Sequence, residues 1–110
     1  MSTGMQFGIF TVGDVTTDPT NDVTPTEHQR IKNILTIAQK VEEVGMEVFA
    51  LGEHHNPPFV PSSPTTMLGY IAAKTERLIL STATTIFTGS LVVMSVVAVD
   101  RIRRSVFAAM

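Results

Sequence analysis

The chain contains no cysteine. That excludes disulfides and thiolate metal sites, and it suits a reducing compartment. Charge is sparse: only 16% of residues are charged and the formal net charge is −2, a balance expected where little surface is exposed or where a partner covers it. No basic stripe with interleaved aromatics is present, which argues against a nucleic-acid partner. Gly8, Gly13 and Gly45 lack the spacing of a glycine-rich nucleotide fingerprint, so a Rossmann reading has no support. Long apolar runs are also missing. The best of them, Leu91–Val99, is interrupted by Ser95 and falls far short of the roughly 20 residues a membrane-crossing helix needs. Met1-Ser2-Thr3-Gly4 shows no charged segment leading into an apolar core, so no secretory signal is expected. These absences together predict a cytoplasmic protein with neither a membrane nor a nucleic acid as partner.

What is present suffices for one folded domain. A 110-residue chain that is 44% hydrophobic is not disordered by composition, and a domain of this size buries about 60–70% of its unfolded surface. Phe7–Val12 is short, apolar and β-branched, and predicts a buried strand. The Asp-, Thr-, Asn- and Pro-rich stretch from Gly13 to Val23 predicts a loop. Thr24-Pro25-Thr26-Glu27 predicts a helix start, with Thr24 as cap, Pro25 in the first turn and Glu27 completing a capping box. Ile31, Ile34, Leu35, Ala38, Val41 and Val44 then recur with the helical period, and Gly45 is placed to end the helix. Val48–Leu51 is the next strand. Ser63-Pro64 opens a second helix with Met67, Leu68, Ile71 and Ala72 on its apolar face, and Leu78–Ala83 is a third strand. Residues 5–85 therefore read as βαβαβ, with parallel strands and right-handed crossovers.

The chemistry-bearing residues concentrate at one place. Val48–Leu51 runs straight into Gly52-Glu53-His54-His55 and then a loop stiffened by Pro57, Pro58 and Pro61. An acid and two imidazoles thus stand at the carboxyl end of a parallel strand, where α/β proteins keep their chemistry. Side chains alternate along an extended segment, so His54 and His55 cannot both face one ligand unless the chain turns between them. The plainer reading is a structural hydrogen-bond cluster beneath the loop. A metal site is not expected, since zinc needs three or four ligands and the third histidine, His28, lies on the first helix.

Met5–Phe10, Ala38–Gly45, Val48–Asn56 and Leu78–Thr85, in this order and spacing, resemble the opening of the bacterial luciferase-like flavin-dependent monooxygenases. Glu53-His54-His55 is the most telling piece. The resemblance covers residues 5 to about 88, which corresponds to the first third or so of a typical member. It implies a TIM-barrel-like α/β fold, a reduced flavin mononucleotide (FMN) cofactor or, in one branch, a deazaflavin, and His54 as the catalytic residue managing protons beside the flavin. It implies cofactor contacts at Glu53 and at Ala83 and Thr84. It also implies a cis Ala83–Thr84 bond, a conformation costing about 3–4 kcal/mol.

Residues 1–88 carry five basic and nine acidic residues, whereas 89–110 carry three Arg and one Asp. The resemblance is not expected to continue past residue 88, and 89–110 reads as a divergent tail in which Asp100–Phe107 is either a short helix or a ragged end. A closed barrel needs eight strands and about 250 residues, so the expectation is an incomplete barrel. Three parallel strands also call for helices on both faces and leave open edges, so a homo-oligomer is expected. Two functions compete. One is a flavin-dependent oxidoreductase acting with oxygen on a small, aldehyde-like organic substrate. The other is a truncated, non-catalytic remnant that binds no flavin and persists as an oligomer or an interaction module.

Overall fold

The computed structural model describes residues 4–82 in full, together with the backbone of 85–87, 90–92 and 96–98. The order is β1 (Gly8–Thr11), α1 (Glu27–Glu43), β2 (Val48–Leu51), α2 (Pro64–Lys74), β3 (Ile79–Thr82), β4 (Thr85–Phe87), β5 (Ser90–Val92) and β6 (Val96–Ala98). β1, β2 and β3 lie side by side in parallel, as the βαβαβ reading requires. The chain is an α/β unit built on one open sheet.

The termini of α1 show how local chemistry sets an element's length. The cap is Thr26 rather than Thr24: Thr26 is extended, and its hydroxyl accepts from Gln29 N. Thr24 is displaced from that role because its hydroxyl bonds the Thr17 hydroxyl at 2.7 Å, inside the preceding loop. Pro25 therefore precedes the cap instead of opening the first turn. At the other end Gly45 has φ +89°. Its N–H reaches Glu42 O, and that of Met46 reaches Val41 O, the paired bonds of a Schellman stop. For α2, Ser63 is the cap residue and Pro64 opens the helix, as expected.

Both helices cover the same face of the sheet. Ile34, Ala38 and Val41 from α1 and Leu68 and Ile71 from α2 pack with Phe49, Leu51, Leu78 and Leu80 into one buried core. Two crossovers of one hand in the strand order β1-β2-β3 must return on the same side, which is why α1 and α2 share one face. By register, the other face carries Gly8, Phe10, Val48, Ala50, Ile79 and Ser81. Phe10 remains 56% exposed there.

The valine-rich stretch supplies strands: β4 and β5 form an antiparallel ladder, and β6 pairs antiparallel with the outer side of β3. The edge of β3, expected to be open, is thus occupied, and β1 and β6 are the edge strands of that sheet among the described residues. Asp100–Phe107, expected as a short helix or a ragged end, lies outside the described residues. No helix among the described residues is long and apolar enough to cross a membrane.

One side chain ties the second crossover to the first. The Glu42 carboxylate, on the last turn of α1, accepts from the N–H groups of Glu76, Arg77 and Leu78 at 2.6–3.1 Å. Arg77 returns the contact by donating to Glu42 O and Met46 O. Hydrogen bonds to charged groups contribute about 1.5–3 kcal/mol each, less where water competes. Glu42→Ala is expected to lower the unfolding free energy by about 2–4 kcal/mol, read from the midpoint of urea denaturation. An unchanged midpoint would contradict this role for Glu42.

Candidate active site

The register brings the carboxyl ends of the three parallel strands level: Thr11 pairs with Leu51, and Leu51 with Thr82. Gly52 N continues the ladder by donating to Thr11 O at 2.9 Å. A Cβ on Gly52 would sit 3.4 Å from both the Phe10 ring and Val12 Cγ1, so these two side chains border the exit of β2.

Beyond Gly52 the two imidazoles part. Glu53 and His55 fall on one side, as alternation dictates. The Glu53 side chain is only 7% exposed, and its Oε1 lies 2.6 Å from Nε2 of the 59%-exposed His55. With Nε2 engaged, the free ring nitrogen of His55 is Nδ1. His55 also lines a depression of about 250 Å³ with Glu27 and Ile31 of α1, Asn56, Phe59 and Ser62. This places Glu53 and His55 on the helix-covered side.

His54 takes the other direction. Its ring stacks on Phe59, with centroids 4.2 Å apart and planes inclined by 23°, and its backbone N–H donates to Pro61 O. Among the described residues neither ring nitrogen of His54 has a hydrogen-bond partner, and no buried side-chain nitrogen is left unpartnered. Both nitrogens therefore reach solvent and are open to a ligand.

The loop holding Phe59 is stitched to the loop after β1. Val15 N donates to Pro58 O, Val60 N to Gly13 O, and Phe59 bridges Asp14. Arg30 braces the same seam from α1: its Nε donates to Asp14 O at 2.6 Å, and its guanidinium lies 3.5 Å from the Asp14 carboxylate. A larger depression, about 450 Å³, lies between residues 16–25 and α1, lined by Thr16, Thr17, Asp18, Gln29, Arg30 and Asn33 among others. The Thr20 hydroxyl, and then its N–H, hold the Asp18 carboxyl below its usual range. No imidazole borders this space, so the smaller depression is the one adjacent to the candidate chemistry.

Of the residues singled out from the sequence, Glu53 and His54 stand together at the exit of β2. Ala83 and Thr84, with the bond between them, lie outside the described residues. Among the described residues no group of three or more His, Asp or Glu is placed to hold a metal ion. The stack of Phe59 on His54 and the part of Arg30 are additions from the structure. Phe59, in the proline-stiffened loop after His54, could be read from the sequence as a pocket wall or as part of a rigid loop, whereas the contact of Arg30 with Asp14 has no sequence signal.

The parallel strands are level at their carboxyl ends, and an accessible imidazole stands at the exit of the second, the end at which α/β folds place their functional loops. The family profile of the luciferase-like monooxygenases matches residues 5–99, and the chain belongs to that family. The match runs past residue 88, where the sequence alone had placed its end, and so takes in β4, β5 and β6. No curated protein matches the chain.

Proposed function

We propose that the chain serves a flavin-dependent oxidoreductase reaction of the luciferase-like class, with His54 as its proton-handling residue. The observation that carries this reading is the state of His54: both ring nitrogens open, the ring seated on Phe59, at the carboxyl end of β2. An imidazole can donate or accept a proton in place. Phe10 and Val12 meet at the Cβ-less Gly52, two residues before His54, and offer apolar contact to a partly apolar ring. Reduced FMN is the cofactor we assign, with a deazaflavin as the alternative. Bound there, it would supply the electrons for oxidation of a small, aldehyde-like substrate by oxygen. Contacts to it are proposed at the strand ends, at Ala83 and Thr84, whereas Glu53, buried and bonded to His55, acts through position. A cysteine-free chain suits the reducing cytoplasm in which we place this chemistry.

A second reading, association of copies of the chain without turnover, is favoured by the unpaired β1 edge with Phe7 and Phe10 exposed on it. One experiment separates the two: anaerobic calorimetric titration of reduced FMN, and separately of oxidised FMN, into the pure chain and into His54→Ala, alongside light scattering. Micromolar binding of reduced FMN, weakened about tenfold or more in His54→Ala, supports the first reading. A scattering mass above that of one chain, with binding no better than about millimolar, leaves only the second.

A further inference from the structure

We infer that Glu53 is a positioning residue: by fixing His55, its carboxylate latches the segment that seats His54 on Phe59. The inference deepens the proposed role of His54 and rests on it for its functional meaning, but its geometry stands alone. The Glu53 carboxylate is almost wholly buried and reaches His55 Nε2 at 2.6 Å, so the chain from 53 to 55 is pinned at both ends on the helix-covered side. His54, between them, is forced to the opposite side by alternation. There its N–H is held by Pro61 O and its ring by Phe59. Phe59 also walls the depression that His55 lines, so it touches both halves of the arrangement. Release of His55 frees the turn that presents His54. A carboxylate–imidazole bond is also the device by which proteins commonly fix a histidine's tautomer: here a neutral His55 carries its proton on Nε2.

The test uses the ring current of Phe59, which moves the His54 ring protons upfield from their free-histidine positions. Spectra of the 110-residue chain are compared with those of Glu53→Gln and Glu53→Met, side chains of similar length of which only Gln retains an acceptor for Nε2–H. The upfield shift is expected to persist in Glu53→Gln and to vanish in Glu53→Met. Reduced FMN is expected to bind the Met variant about tenfold more weakly and the Gln variant about as well as wild type. Retention of the shift in Glu53→Met overturns the inference, since packing alone would then seat His54. If Glu53→Met does not fold, His55→Ala removes the same bond from its exposed end and carries the same expectation. A shift that follows the latch while flavin binds none of the variants upholds the positioning role and refutes the flavin reading instead.

Discussion

Phe49→Ala is expected to lower the stability of the fold by about 3–5 kcal/mol. Phe49 sits at the centre of β2, has no exposed surface, and belongs to the cluster built from both helices and two strands. Emptying such a site costs about 3–5 kcal/mol, the lost transfer energy plus a cavity the neighbours cannot close. A domain of this size has about 5–15 kcal/mol in total, so one substitution would consume about a fifth of it at the least. Phe7→Ala is the control: that ring is 60% exposed, and its loss should stay within about 0.5 kcal/mol. Urea midpoints for the two variants measure the difference. Equal midpoints would mean that the core is not where the packing puts it.

The second large effect is expected from Gly13→Val, and it reaches the site as well as the fold. Gly13 is buried at φ +65°, where a β-branched residue is strained. A Cβ there would lie 2.5 Å from Pro61 Cγ and 2.6 Å from Cδ, atoms of a rigid ring that cannot swing aside. Strain and overpacking together should cost about 2–5 kcal/mol. Gly13 O also receives Val60 N, so the seam between the two loops opens where it supports Phe59. Thermal unfolding should show the stability loss, and the upfield shift of the His54 ring protons should disappear in whatever fraction remains folded. A variant as stable as wild type would refute the close approach of Gly13 and Pro61.

Much of this architecture was legible from residue patterns. β2 lies where Val48–Leu51 placed it, and α2 begins at the expected Ser63-Pro64 boundary. Gly45 closes α1 through the bonds its position implied. These features are local: periodicity, a cap, a residue free to take positive φ. The start of α1 was misplaced because Thr24 and Thr26 both fit a capping pattern, and what separated them was a bond to Thr17 seven residues away. The pairing of β6 with β3 was not legible, because a run of valines does not name its partner. At the site the pattern was half sufficient. Alternation alone separates His54 from His55 and places Glu53 with His55. The loop that carries Phe59 is also held by links to Gly13, Asp14 and Val15, more than 40 residues earlier in the chain, and no spacing encodes those.

In the proposed function the level carboxyl ends of β1, β2 and β3 would form a flavin-binding surface with His54 at its edge. The most direct test is the map of backbone amide shifts as reduced FMN is titrated anaerobically into the isotopically labelled chain. The account predicts that the large shifts cluster at Thr11–Gly13, at Gly52–His55 and at Thr82, and that α1 and α2 stay quiet. Shifts confined to the outer faces of the helices, or none at saturating flavin, would contradict it.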